Sequence, residues 1–201
     1  MSATVQTTTT LEQFYRLRDA DPDPRNRYEL IDGEVFESPA PLPPHQRVLS
    51  ILYRVVDRGT AHVERVTLLF SPIDLRDGDR TVVQPDLLLL LDERTAYETK
   101  RDISGPPNLV VEILSPSTER VDRGRKLEFY ARFGVDELWL ADIARRTLSV
   151  CSDPVDGFYR SVVTFTTPGV ARSATIPGLE VNLDDLFAVP DWLVDEEEHD
   201  D

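Results

Sequence analysis

Val82-Val83-Gln84-Pro85-Asp86-Leu87-Leu88-Leu89-Leu90-Leu91 is an apolar run interrupted by one acid, and its reading decides the fold. A polar stretch separates it from a second run, Leu109-Val110-Val111-Glu112-Ile113-Leu114. Ser115-Pro116-Ser117-Thr118 and a charged amphipathic segment containing Lys126 come next, followed by Glu137-Leu138-Trp139-Leu140-Ala141-Asp142. Runs this apolar predict strands of one sheet covered on both faces. A carboxylate inside such a strand is costly to bury alone and takes a cation, a set of hydrogen bonds or a metal as partner. Asp86 and Glu112, one on each of two neighbouring strands, therefore suggest a shared positive partner. A hard ion such as Mg²⁺ accepts oxygens from one or two carboxylates and keeps several waters. The alternative is that each acid separately pairs with an arginine or caps a turn.

Composition narrows the class. The chain has 201 residues, 40% hydrophobic and 29% charged, which fits a soluble globular protein of one domain with appendages. The longest fully apolar run, Leu87 to Leu91, is too short to cross a membrane, and the first residues lack a basic segment followed by an apolar core. The single cysteine, Cys151, makes no internal disulfide and no zinc cluster. A cytoplasmic protein is the expectation. The net charge of −15 argues against a nucleic-acid partner until its distribution is considered. Residues 180–201 hold ten acids and no Lys or Arg, which leaves −5 for the other 179 residues. The acidity is thus largely a tail, ending Asp195-Glu196-Glu197-Glu198-His199-Asp200-Asp201.

Outward from the central runs, local signals place the remaining elements. Thr10-Leu11-Glu12-Gln13 has the form of a capping box that starts a short helix. Asp32-Gly33 between Tyr28-Glu29-Leu30-Ile31 and Val35-Phe36-Glu37 predicts a hairpin. His45 to Arg58 carries Val48, Leu49, Leu52 and Val56 at helical spacing and predicts the first core helix, ended by Gly59. Val63 to Phe70 and Ile73 to Leu75 read as strands, and 92–108 as a surface loop near the site. Glu119 to Phe133 reads as one helix, capped by Thr118 and ended by Gly134, with Lys126 at the margin of its apolar face. Beyond Asp142, Thr147 to Cys151 and Phe158 to Phe165 extend the sheet with antiparallel strands, and Leu183 to Phe187 forms a helical turn. No glycine-rich phosphate loop, zinc-type spacing or Ser/His/Asp triad is present.

The order helix, three strands, helix, strand, with Asp86 and Glu112 on the second and third strands, resembles the PD-(D/E)xK nuclease core. Tyr28-Glu29-Leu30-Ile31-Asp32-Gly33-Glu34, Gln84-Pro85-Asp86, Val111-Glu112-Ile113-Leu114-Ser115-Pro116-Ser117, Lys126-Leu127-Glu128-Phe129-Tyr130 and Gly134 to Asp142 are together similar to the Uma-type family. Members of that family are described as restriction endonucleases. The resemblance covers roughly residues 10 to 190. It implies a restriction-endonuclease-like α/β fold with a mixed central sheet, an N-terminal helix and hairpin, and C-terminal antiparallel strands. The division expected is a lead over 1–9, one domain over 10–190 and an acidic tail over 191–201.

Carried over residue by residue, the resemblance assigns Pro85-Asp86 to the PD and Glu112 to the (D/E). The position of the pattern's lysine holds Leu114 instead, and Lys126 on the following helix is the substitute that the family suggests. Glu34 matches a further acid near the site. His45 and Gln46, at the start of the first core helix, match polar positions and read as structural or phosphate-facing. The implied activity is phosphodiester hydrolysis in DNA, with Mg²⁺ or Mn²⁺ held by Asp86, Glu112 and the carbonyl of Ile113. Lys126 would orient water or stabilise phosphate charge, and a homodimer would serve to cut both strands. The competing class is a nuclease fold repurposed as a DNA-binding or protein-interaction module.

Overall fold

The structure is a computed structural model and describes residues 8–23, 26–115 and 119–188. Helix α1 (Leu11–Ala20) starts at the expected capping box, with Thr10 and Gln13 exchanging side-chain and backbone hydrogen bonds. Strands β1 (Arg27–Ile31) and β2 (Glu34–Ser38) form the hairpin, with Asp32 and Gly33 at φ of 51° and 86° in its turn. Helix α2 (Pro43–Gly59) is followed by β3 (Val66–Phe70), β4 (Leu75–Asp77), β5 (Thr81–Val83) and β6 (Leu87–Leu91). A 3₁₀ turn, Asp92–Tyr97, then leads to β7 (Leu109–Leu114). After α3 (Glu119–Val121) come a π-helical turn, Asp122–Lys126, and α4 (Leu127–Phe133). Strands β8 (Glu137–Asp142), β9 (Thr147–Val155), β10 (Phe158–Thr166), β11 (Val170–Arg172) and β12 (Glu180–Asn182) precede α5 (Leu183–Leu186).

The central sheet has six strands in the order β10-β9-β8-β7-β6-β3. It is mixed: β7 and β8 are parallel, joined through α3 and α4, and all other neighbours are antiparallel. The expected succession of helix, three strands, helix and strand is therefore α2, β3, β6, β7, α4 and β8. A second sheet, β2-β1-β5-β4, stands beside it.

Strand alternation explains why the central runs are apolar throughout. Leu87, Leu89, Leu109, Val111, Trp139 and Ala141 pack toward Val48, Leu52 and Val56 of α2. Leu88, Leu90, Val110, Leu138 and Leu140 pack toward Phe129 and Tyr130 of α4 on the other face. A third cluster, Phe14, Tyr28, Leu30 and Val82, seats α1 on the second sheet. Burying each of these large side chains contributes about 1.5–3 kcal/mol, so together they can offset a group of buried charges.

Several expectations need correction. The run from Val82 to Leu91 is two strands in two sheets, β5 and β6, and it breaks at Gln84-Pro85-Asp86. Pro85 has no N–H for a ladder, so the chain leaves one sheet there and enters the other. The strand expected over Ile73 to Leu75 lies two residues later, as β4. The 92–108 connection leaves β6 at the end away from Asp86 and enters β7 at the end away from Glu112, and its middle packs on the second sheet, where Ile103 exchanges backbone hydrogen bonds with Asp74 and Arg76. Thr118, the expected cap, and the tail over 191–201 lie outside the described residues.

Candidate active site

The candidate site forms where the two sheets meet, and strand period decides which side chains reach it. On β1, Tyr28 and Leu30 face the α1 cluster, so Arg27, Glu29 and Ile31 face the opposite way. On β7, Glu112 lies between Val110 and Leu114, two residues of the cluster that covers the α4 face. Asp86 sits at the break between β5 and β6. Its carbonyl accepts the Ser71 N–H at 3.1 Å, and the Gln84 N–H donates to Glu29 Oε1 at 2.7 Å. The crossing of the two sheets is thus tied directly to the acids of the site.

Asp86 is buried among donors. Arg27 Nη1 lies 2.9 Å from Oδ1, while His45 Nε2 and the Ile113 N–H reach Oδ2 at 3.0 and 2.8 Å. Burial pushes this carboxyl up. The His45 hydrogen bond, attraction to His45 and Arg27, and the Ile113 N–H outweigh burial and hold the carboxyl at about 2, below its ordinary 3.8. Two nitrogens of these partners, Arg27 Nε and His45 Nδ1, are buried with no hydrogen-bond partner among the described residues.

Glu112 has different company. Its Oε1 lies 2.6 Å from Lys126 Nζ and accepts the Tyr130 hydroxyl at 2.5 Å. Lys126 is itself buried, and its ammonium also lies 3.0 Å from Glu29 and 3.5 Å from Asp122. The π turn carries Asp122 and Lys126, and both side chains are buried. Three carboxyl groups therefore crowd one ammonium. Burial pushes Glu112 well up; Lys126 opposes this, but Asp122, Asp86 and Glu29 add to it. For Lys126 burial works the other way, yet the surrounding acids win and hold its proton firmly. Both shifts report one condition, a surplus of negative charge in a dry place.

A buried acid in this fold does not by itself mark a site. Glu137 is fully buried and takes its hydrogen bonds from Trp139, Ser173, Ala174 and Thr175, which anchors the chain between β11 and β12. Charge surplus and shared partners separate Glu112 from it.

Of the residues expected from sequence, Asp86, Glu112, Ile113 and Lys126 come together. Ile113 directs its N–H toward Asp86, and in a strand the carbonyl of the same residue leaves on the same side. Glu34 does not join them: it is half exposed on β2 and pairs with Arg125 at 3.0 Å. Glu29, five residues earlier in the same motif, occupies the place given to it. His45 touches Asp86 directly, whereas Gln46 is exposed. Arg27, Glu29, Asp122 and Tyr130 were not anticipated. For the first two the available signal was the alternation in Arg27-Tyr28-Glu29-Leu30-Ile31, which puts both on one face.

Among the described residues, no three His, Cys, Asp or Glu side chains form a ready group for a metal ion. The donor chemistry nevertheless suits a hard divalent cation. Mg²⁺ is commonly held by one or two carboxylates plus waters and substrate oxygens, and a cation would relieve the charge surplus around Glu112.

A family model named Uma2, with the description "Putative restriction endonuclease", matches residues 11–184. The chain belongs to this family. An uncharacterized protein of Synechocystis sp. is 28% identical over 111 residues, covering 53% of this chain and 55% of that protein. The chain thus matches about half the length of that relative. The crystal structure of a protein described as a "putative nuclease belonging to DUF820", from Anabaena variabilis, superimposes with a TM-score of 0.71. That match covers 92% of this chain and 98% of the other at 20% identity, a likeness of fold. The Uma2 fold of this chain is restriction-endonuclease-like. Among the described residues no helix is long and apolar enough to cross a membrane.

Proposed function

We propose that this Uma2 chain is a metal-dependent endonuclease that hydrolyses phosphodiester bonds of DNA. The observation that carries this is the buried set of Asp86, Glu112 and Lys126 with its excess of acid, in a restriction-endonuclease-like fold that puts Asp86 just before β6, Glu112 on β7 and Lys126 at the end of the π turn. Asp86, Glu112 and the Ile113 carbonyl would hold Mg²⁺ or Mn²⁺. Such an ion acidifies water and polarises the scissile phosphate. Arg27 and His45 keep Asp86 ionised, and the Ile113 N–H fixes its orientation. Glu112 must release its proton to serve as a ligand, so cation binding strengthens as pH rises. Lys126 supplies an ammonium that orients the attacking water or meets negative charge growing on the phosphate. Glu29 and Asp122 hold that ammonium in place.

The test is cleavage of plasmid and single-stranded DNA with Mg²⁺ or Mn²⁺, comparing the wild type with Glu112→Ala purified in the same way. Cutting by the first and a loss of more than about 10³-fold in the second is expected. A second reading, a repurposed interaction module, draws on the complete engagement of Asp86 by Arg27, His45 and Ile113. Calorimetry separates the two, because a protein that neither cuts nor binds a divalent ion belongs to the second.

A further inference from the structure

Beside the candidate site, the outer flank of α2 and the end of β3 enclose a groove of about 420 Å³ lined by Gln46, Leu49, Ser50, Tyr53, Arg54 and Phe70. Gln46, Ser50, Tyr53 and Arg54 follow one another at i, i+4, i+7 and i+8, a single stripe of the helix. That stripe runs for about 12 Å along the axis. Both walls begin at the site. Gln46 follows His45, which touches Asp86. Phe70 pairs with Leu87 and precedes Ser71, whose N–H donates to the Asp86 carbonyl.

The lining carries two aromatic rings and, among the described residues, no acid. Phe70 is 55% exposed although it ends a strand of the central sheet. Its ring meets Tyr53 edge-on, with centroids 5.7 Å apart and planes at 89°, so one face of the pair stays available. None of the six lining residues is acidic in a chain of 37 acids, and the charged one is Arg54. Arg54 Nε donates to the Ser50 carbonyl at 3.1 Å, which lays the guanidinium along the groove.

We propose that this groove binds an unpaired nucleotide of single-stranded DNA adjoining the scissile phosphate. The base stacks on Phe70 with Tyr53 closing one side, and Arg54 meets the backbone. The inference rests on the nuclease reading for the identity of the polymer and adds its strandedness. A base inside a duplex has both faces covered by its neighbours and cannot offer one to Phe70, whereas an unpaired base can. An arginine and no acid beside the aromatic pair match the charge of a phosphodiester.

The experiment is fluorescence anisotropy of the full chain in EDTA at low salt, with a labelled oligothymidine and a duplex of equal length. The wild type is compared with Phe70→Ala and Phe70→Trp, each checked for an unchanged melting profile. The wild type is expected to bind the single strand more tightly than the duplex. Phe70→Ala should weaken single-strand binding about 5- to 100-fold, while Phe70→Trp retains it. Equal affinity of wild type and Phe70→Ala, duplex binding as tight as single-strand binding, or no single-strand binding would overturn the groove. The two ideas fail separately. Binding that depends on Phe70 without metal-dependent cleavage keeps the groove and removes the nuclease. Cleavage by a Phe70→Ala protein of unchanged affinity removes the groove alone.

Discussion

Asp86 and Glu112 carry the same group, one just before β6 and the other on its neighbour β7, yet their surroundings act on it in opposite directions. Asp86 faces Arg27, His45 and a backbone N–H, and stays ionised to about 2. Glu112 shares a single ammonium with Glu29 and Asp122, and holds its proton well above the ordinary range. Burial pushes both upward, so it cannot be the difference. What differs is the ratio of cations to acids within hydrogen-bond reach. The Asp86 half is balanced by the protein's own groups. The Glu112 half is short of positive charge, and a divalent cation has most to offer there.

The largest expected effect comes from removing the cation of each half. Lys126→Met takes away the ammonium that three buried or half-buried acids share and should cost about 3–5 kcal/mol at pH 7, measured by denaturant unfolding in EDTA. Arg27→Met leaves Asp86 with His45 and the Ile113 N–H, and should cost less, about 1–2 kcal/mol. Equal losses would mean that the two halves are not unequally supplied.

A smaller effect is expected in the dependence of stability on pH. Asp86 titrates lower in the folded chain than its ordinary 3.8, so its contribution is present above that value and is lost as pH falls toward about 2. That limb is worth about 2 kcal/mol and should vanish in Asp86→Asn. Glu112 is shifted the other way, so the folded chain binds more protons than the unfolded one above the ordinary carboxyl range. Its contribution therefore declines as pH rises from about 4.5 toward its raised folded value, and Glu112→Gln should flatten that decline. Unfolding midpoints in metal-free buffer from pH 2 to 8 would record both limbs. A wild-type profile with only the acid limb would remove the contrast.

How far the sequence discloses this arrangement depends on the range of the interactions. The capping box at Thr10, the turn at Asp32-Gly33 and the helix end at Gly134 are local, and each is found where its residues predict it. The acids just before β6 and on β7 were legible because a lone carboxylate in an apolar run stands out. The split at Pro85 was legible in principle, since proline cannot serve a central strand, but the length of the apolar run concealed it. Which motif acid reaches the site was not legible from motif position. Glu29 meets Lys126 across 97 residues of sequence, and only the packing of the second sheet on the first brings them together.

The smallest expected effect concerns that last pair of acids, Glu29 and Glu34. Both belong to Tyr28-Glu29-Leu30-Ile31-Asp32-Gly33-Glu34, and they lie on opposite sides of the hairpin turn. Glu34 forms a half-exposed pair with Arg125, the kind of contact worth at most a few tenths of a kcal/mol in water. Glu34→Gln should therefore leave stability within about 0.5 kcal/mol of wild type and leave metal-dependent cleavage unchanged. Glu29→Gln should do neither. It withdraws one of the acids around Lys126 and alters the acceptor for the Gln84 N–H beside Asp86, so both halves of the site are disturbed. Parallel cleavage assays and melts of the two variants measure the difference. If Glu34→Gln were the inactive one, the acid that matters would be the one in solvent, and the buried cluster around Lys126 would be a structural ion network.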